Sequence, residues 1–502
     1  MWLGIILDQN VDIEAFKMLK DLTNFPKIVD ESKLFNTALI DLSSGKAKFY
    51  TFFQLDQTIE QVVSGLAKKN FAPATRVAIV ASNSFNYIVT YFGIRRAGLV
   101  PVLINSKLSA DQILKITQHS DSAFAFYDAA LVDKVPADLA SINFDTEFSA
   151  FLSKDPYSEV IDDQTRPAFF LYTSGTTGDP KGVVVSTKSR RWLVESLFTV
   201  APQRRILLAA PMYHMNGLTN VETSIACRAT LILMPSFDPE VYIRAISNHK
   251  VNMITAVPPM MAMVLQHEEL LNKTPLDTVR GIVLASAPTS PMLFNKIKSK
   301  FPNAQIIIRY GLTEVGPSLF GLHPNNVPTP DMSVGYPRKG IEYKLIDEVL
   351  HVKSPSMLAN YHKREDLYSN ALTEDGFFNT KDKFTVDENG FYFFVGRSDD
   401  MFVSGGENIF PSEVEDIIER HPAIAEAAVL GLPDQIKGTK PYAFVVKVAG
   451  ANITEQDIKT FVLENAPAYQ HPRKVWFIDQ MPLTGQNKIN KAELESLAKT
   501  YL

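Results

Sequence analysis

The sequence predicts an α/β protein. A large N-terminal domain, residues 1–397, would hold mostly parallel sheets flanked by helices plus a β-rich subdomain, and a small α+β C-terminal domain would span 398–502. Three observations predict this. Apolar strands alternate with helical segments from residue 76 to 127, and five further apolar strands recur between 205 and 310. After about residue 340 the pattern becomes strand–turn–strand, and a last mixed unit begins near Ser398.

Each element has a local reason. "RVAIVASNS" reads as a buried strand and "FNYIVTYFGIRRAG" as a helix ending at Gly98. "LVPVLIN" is a second strand, "SADQILKITQHS" a helix capped by Ser109, and "SAFAFYD" a third strand, a rhythm that implies parallel pairing with right-handed crossovers. It returns at 205–211, 229–235, 251–257, 281–287 and 304–310. Further on, "IEYKLIDEVLHVKS" and "FFNTKDKFTVDENGFYFFVGR" break at Asp347-Glu348 and Glu388-Asn389-Gly390, as hairpins do. In the last unit, "PSEVEDIIERH" is expected to be a helix with Ser412 and Glu415 as a capping box and Val414, Ile417 and Ile418 as its buried stripe. Strands "EAAVLGL" and "YAFVVKV", a helix with Thr454 and Asp457 at capping spacing, and a strand "KVWFID" complete it.

At 502 residues the chain exceeds one hydrophobic core. With 46% hydrophobic and 21% charged residues it has a globular composition, and a net charge of −5 argues against a nucleic-acid partner. The single cysteine, Cys227, excludes an internal disulfide and a cysteine metal cluster, and suits a reducing compartment. No apolar run is long enough for a membrane span, and "MWLGIILDQN" lacks the basic region and cleavage site of a signal peptide, so a cytoplasmic location is expected. The G-x-G-x-x-G, G-x-S-x-G and H-E-x-x-H patterns are all missing.

"LYTSGTTGDPKGVVVS", residues 171–186, concentrates hydroxyls and glycines and adds Lys181. Glycines let backbone N–H groups approach an anion, and small hydroxyls add donors without bulk. The segment suits a polyphosphate, although its spacing is not that of a Walker A loop. It resembles the phosphate-loop signature of the adenylate-forming superfamily, which includes acyl- and aryl-CoA ligases, peptide adenylation domains and beetle luciferases. "PMYHMNG" (211–217), "YGLTE" (310–314), "NTKD" (379–382), "GRSDDMFVSGGENIFPSEVE" (396–415) and "PLTGQNKINK" (482–491) continue the resemblance over nearly the whole chain. The wording is most similar to the branch of halobenzoate–CoA ligases and fatty acyl-CoA synthetases.

The resemblance implies a two-step ligase. A carboxylic acid, aryl or fatty acyl, is activated as acyl-AMP with release of pyrophosphate, and the acyl group then passes to coenzyme A. It implies ATP, Mg²⁺ and coenzyme A as cofactors, and a C-terminal domain that moves between the two steps. Thr173, Ser174, Gly175, Thr176, Thr177, Gly178 and Lys181 would hold the β- and γ-phosphates. Glu314 would ligate Mg²⁺ and Thr313 would meet the α-phosphate. Ser286, Ala287, Tyr310 and Gly311 match the adenine seat, and Asp382 with Arg397 the ribose contact. Lys381 stands where the family usually has glycine, which puts the Asp382 backbone in question. His214, Met215, Ala285 and Gly311 would line the acyl pocket, the small Ala and Gly leaving room for a ring or chain.

Lys488 matches the lysine that bridges carboxylate and α-phosphate, with Asn487 where a glycine is frequent and Lys491 as a competing choice. Asp399 matches the hinge, and Gly406 the loop that admits the thiol arm in the second step. Lys437, in place of an aromatic residue, and Arg473 would meet coenzyme A phosphates, with Lys440 close by. Two other readings remain at this point. One is an adenylation enzyme that loads the phosphopantetheine of a carrier protein, which acceptor assays would separate. The other is a non-catalytic nucleotide-binding scaffold, against which stands the retention of Lys488.

Overall fold

The computed structural model describes residues 35–158, 160, 163–173, 181–197, 203–404, 407–434, 438–485 and 487–501. The predicted βα rhythm resolves into two seven-stranded sheets. In the first, the strands run in the order 305–309, 281–285, 253–256, 205–208, 230–233, 37–41 and 48–51, all parallel except the closing hairpin. In the second the order is 360–361, 181–186, 167–173, 100–104, 76–80, 122–127 and 141–143. Here the strands from 167–173 to 141–143 are parallel, and 181–186 and 360–361 add antiparallel edges.

The helix Phe85–Arg96 shows why the two sheets form one body. Ser84 caps it, and every residue in it except Asn86 is buried. An all-round apolar helix needs cover on every side. It shares one core with Val77, Ile79 and Leu103 of the second sheet and Leu208 and Leu231 of the first. Its terminal arginines are neutralised: Arg95 pairs with Glu222 at 2.8 Å, and Arg96 with Asp56 at 2.8 Å and with Glu60. Among the described residues no helix is long and apolar enough to cross a membrane.

The β-rich stretch is a four-stranded antiparallel sheet of 342–346, 349–353, 378–386 and 392–397. Its first turn places Asp347 and Glu348 at φ +50° and +65°, the conformation a two-residue hairpin requires. Beyond it, strands 424–434, 438–447 and 475–477 form a sheet packed by helices Pro411–Glu419, Glu455–Asn465 and Lys491–Tyr501 around cores of their own. Thr454 and Asp457 make the expected capping box.

The box expected at Ser412 does not form. Pro411 takes the first helical position, so Phe410 becomes the cap residue and its side chain caps nothing. Ser412 instead donates its hydroxyl to the Val395 carbonyl at 3.0 Å, and Glu415 accepts the Val429 N–H at 2.8 Å. The polar residues that would have capped the helix tie it to two strands.

Candidate functional site

Strands 281–285 and 305–309 are parallel neighbours, so the loops leaving their C-terminal ends emerge side by side. Such a crevice is where open α/β sheets place ligands. Ser286 leaves the first strand at φ +72°, a left-handed conformation that non-glycine residues rarely adopt. The second strand continues into Tyr310–Gly316, a small loop closed by Leu312 N–H to the Gly316 carbonyl (3.2 Å) and Gly316 N–H to the Leu312 carbonyl (2.9 Å). A Cβ on Gly311 would lie 2.3 Å from the Gly316 oxygen. The missing side chain at 311 is therefore required by the loop's own closure, a different reason from the open space expected. Within the loop, Glu314 accepts the Tyr361 hydroxyl at 3.0 Å, and its carbonyl accepts the Leu358 N–H at 2.8 Å.

Asp382 sits on strand 378–386 opposite Arg397 and is almost fully buried. Its two oxygens are used separately: Tyr310 donates to one at 2.5 Å and Arg397 to the other at 3.0 Å. Burial drives its pKa up to about 6, against the opposing pull of the Tyr310 hydrogen bond and the Arg397 charge. Arg397 also grips Asp399 through two bonds of 2.8 and 3.0 Å. The backbone question at Lys381 has a direct answer. Lys381 adopts φ +60°, the left-handed conformation that a glycine would take. Its carbonyl is held there by Ser398, whose N–H and hydroxyl both donate to it (2.7 and 2.8 Å).

Asn487 repeats this solution. It adopts φ +57° where a glycine is frequent, and asparagine tolerates that region better than most residues. The turn closes through Thr484 N–H to the Lys488 carbonyl at 2.7 Å, and Gly485 packs its bare α-carbon against Asn105. The Lys488 amine is thereby carried in among Glu314, Arg397 and Asp382. Burial lowers its pKa first, with Glu314 and Asp382 opposing and Arg397 adding to the fall. Lys491, the competing choice, is engaged elsewhere, with Asp400 at 2.8 Å.

His214 precedes the helix Met215–Ala226, and its ring meets Tyr213 edge-on at 4.6 Å between centroids. Its Nε2 is covered and has no hydrogen-bond partner among the described residues. Burial, followed by the charges of Lys488 and Lys107, pushes its pKa down to about 3. The imidazole is neutral at physiological pH, with its covered nitrogen unsatisfied among the described residues. Met215 is more committed: its sulfur takes an Arg190 N–H at 3.4 Å, while Arg190 is neutralised by Glu222. Ala285 is buried at the strand end, in register with Arg309.

Thr173 and Lys181 are register partners in the hairpin that carries the phosphate-loop wording, so the two ends of that loop are adjacent. Ser174, Gly175, Thr176, Thr177 and Gly178 lie outside the described residues, as do Gly406 and Lys437. Arg473 is exposed and its N–H donates to the Pro441 carbonyl at 2.7 Å, beside Lys440. Burial lowers the pKa of His471, and Lys459, Lys440 and Arg473 lower it further, which marks a cationic patch. The sequence reading missed Tyr361, the partner of Glu314, because it lies in no motif. A two-residue strand pairing with Val183 and Val184 brings it there.

The described residues include no group of three or more His, Cys, Asp or Glu side chains that could cage a metal. Mg²⁺ keeps several waters and is bound through one or two carboxylates plus substrate phosphates. The Glu314 carboxylate, with one oxygen on the Tyr361 hydroxyl, has the chemistry such a site needs.

The chain is similar to known proteins along most of its length. A family model described as AMP-binding enzyme matches residues 31–357, and one for the AMP-binding enzyme C-terminal domain matches 413–488. A 2-succinylbenzoate–CoA ligase of Bacillus cytotoxicus is 28% identical, covering 90% of this chain and 94% of its own. A fatty acid–[acyl-carrier-protein] ligase, ScoC, of Streptomyces coeruleorubidus is 29% identical over 88% of this chain and 91% of its own. The crystal structure of the anthranilate CoA ligase AuaEII with anthranoyl-AMP shares the fold, with a TM-score of 0.85 at 23% identity, covering 97% of this chain and 98% of that one.

Proposed function

This chain belongs to the AMP-binding enzyme family, and from that premise we propose that it is an ATP- and Mg²⁺-dependent acyl- or aryl-CoA ligase. The observation that carries the reading is the convergence of Lys488, from the C-terminal part of the chain, on Glu314 and Asp382, from the N-terminal part. A nucleotide-binding scaffold has no need of a desolvated cation at that point.

In the first half-reaction an oxygen of the acid's carboxylate attacks the α-phosphorus of ATP. The new P–O bond forms as the bond to pyrophosphate breaks, leaving acyl-AMP. Two anions must meet, so fixed positive charge should carry most of the catalysis. Lys488 spans the carboxylate and the α-phosphate, and Lys181 and the loop before it hold the outgoing phosphates. Neutral His214 donates from Nε2 to the substrate carboxylate and orients it. Asp382 and Arg397 hold the ribose, an ionised carboxylate accepting from the vicinal hydroxyls. Mg²⁺, held by Glu314 and phosphate oxygens, would supply charge neutralisation. In the second half-reaction a thiol sulfur attacks the acyl carbon and the bond to AMP breaks. Residues 398–502 turn about Asp399 between the two, withdrawing Lys488 and admitting the thiol past Gly406. The cationic patch of Lys440, Lys459 and Arg473 supports coenzyme A as acceptor, since its nucleotide phosphates need such a surface.

Pyrophosphate release is measured from ATP over a panel of aryl, short-, medium- and long-chain acids, with and without coenzyme A. Sustained, coenzyme-A-dependent turnover on one class is the expected result. A single-turnover burst that coenzyme A cannot relieve, but a phosphopantetheinylated carrier protein can, would move the acceptor to a carrier protein. ATP binding with no release on any acid would refute the ligase.

A further inference from the structure

One face of the first sheet carries a feature the reaction above does not use. Residues directly opposite in parallel strands point the same way, so Val283 and Ala285 share a face with Ile307 and Arg309. On that face lies a cavity of about 320 Å³, at the lower end of the range for small-molecule sites. Its floor includes Ile206, Thr255 and Val283, and its opposite wall is the helix Met215–Ala226 at Asn220 and Thr223. His214 is the residue before that helix, and Ala285 is the register partner of Arg309, which lines the cavity. The cavity therefore lies between the helix that follows His214 and the strand ends that carry Ala285 and Arg309.

Three arginines line it: Arg204, Arg309 and Arg338. Lys298 at the rim has its own counter-charge in Asp331, at 2.6 Å. Arg338 donates only to neutral acceptors, the Ser196 and Phe320 carbonyls and the Ser318 hydroxyl, and its Nε is covered and unpartnered. The Arg309 guanidinium makes no hydrogen bond or ion pair with any described residue. Burial, with Arg338 adding to it, lowers its pKa to about 10, and no carboxylate opposes the fall. A desolvated guanidinium without a counter-ion is costly to keep. Two of them beside an apolar cavity match a ligand with a planar anion at its far end, which an arginine fork grips in two places.

We infer that this cavity selects an acid with a second anionic group, a carboxylate at the far end of an apolar body, and that Arg309 with Arg338 binds that distal group. The inference rests on the ligase reading for which carboxylate reacts, but the distal site itself can be tested by binding alone.

The probes are α,ω-diacids of four to ten carbons and 3-(2-carboxyphenyl)propanoate, each paired with the monoacid of the same length. Two readouts are taken on the full chain: pyrophosphate release with ATP, and the shift in melting temperature caused by each probe. At least one diacid should exceed its monoacid partner about a hundredfold in kcat/KM, the loss expected for a buried charge pair with one member removed. Arg309→Met should abolish that ratio while retaining monoacid turnover, and Arg309→Lys should restore part of it. The same diacid should raise the melting temperature of the wild type and not that of Arg309→Met. Because the Arg309 side chain makes no bond to any described residue, the methionine variant itself should melt no lower than wild type. A wild type that prefers monoacids, or a ratio unchanged by Arg309→Met, would overturn the inference and leave the ligase intact. Diacid binding that depends on Arg309, without pyrophosphate release, would sustain the cavity assignment and refute the ligase.

Discussion

Replacing Lys488 with alanine should separate the two half-reactions. The amine is buried and lies within electrostatic reach of Glu314, Asp382 and Arg397. At the transition state of adenylation the α-phosphate and the incoming carboxylate gain a cation at contact distance. At an effective dielectric constant of about 20, two unit charges about 4 Å apart interact by about 4 kcal/mol. Removing that interaction lowers the rate by about 10³, at the upper end of the effect of deleting one oxyanion donor. Single-turnover pyrophosphate release reads the first step, and thioester formation from supplied acyl-AMP and coenzyme A reads the second. Lys488→Ala should lose about 10³ in the first and less than about tenfold in the second. Lys491→Ala, which breaks only the bridge to Asp400, should change neither by more than about twofold, as befits an exposed pair. Because burial lowers the Lys488 pKa, adenylation should also decline with rising pH earlier than an ordinary lysine would allow, as the amine loses its charge. Equal losses in both half-reactions for Lys488→Ala would refute the reasoning.

Asp382 takes up a proton near pH 6, so KM for ATP should rise as pH falls through that value, since a protonated carboxyl no longer accepts both hydroxyls. Asp382→Asn should raise KM at pH 8 and flatten the profile; a wild-type KM constant from pH 5.5 to 8 would count against the ribose role. Gly311→Ala drives a methyl into the Gly316 carbonyl, so kcat/KM should fall about 10²-fold through displacement of the Thr313–Glu314 loop. Unchanged kinetics there would mean that the loop does not position the reaction. Glu222 lies fully buried between Arg95 and Arg190 and accepts the Tyr91 hydroxyl at 2.6 Å. Glu222→Gln should cost about 3–5 kcal/mol by leaving buried charge uncompensated, which chemical denaturation would read, and a loss below about 1 kcal/mol would deny the network its structural weight.

The βα rhythm, the hairpin meander and the motif set were legible in the sequence because each is written locally, in periodicity, turn residues and short runs of fixed chemistry. Local signals also located Asp382, Glu314 and Lys488 in the chain, although these residues are far apart in sequence. Three things needed the folded chain. The left-handed backbone at 381 and 487 is kept without glycine, because Ser398 holds one residue and asparagine tolerates that conformation at the other. Pro411 opens the helix and removes Ser412 from the cap position, but that its hydroxyl goes to the Val395 carbonyl is decided by the passing strand that ends at Arg397. The preference between Lys488 and Lys491 depends on which amine the turn carries into the crevice and which meets Asp400. Arg309 carried no signal at all. Next to a recognisable motif it reads as one more arginine at a strand end, and only the register with Ala285 and the lack of a counter-charge among the described residues give it meaning. Local patterns determine which elements form and which chemistry the chain carries. Which side chains are desolvated, and what neutralises them, depends on distances between segments separated in sequence, and those exist only in the tertiary structure.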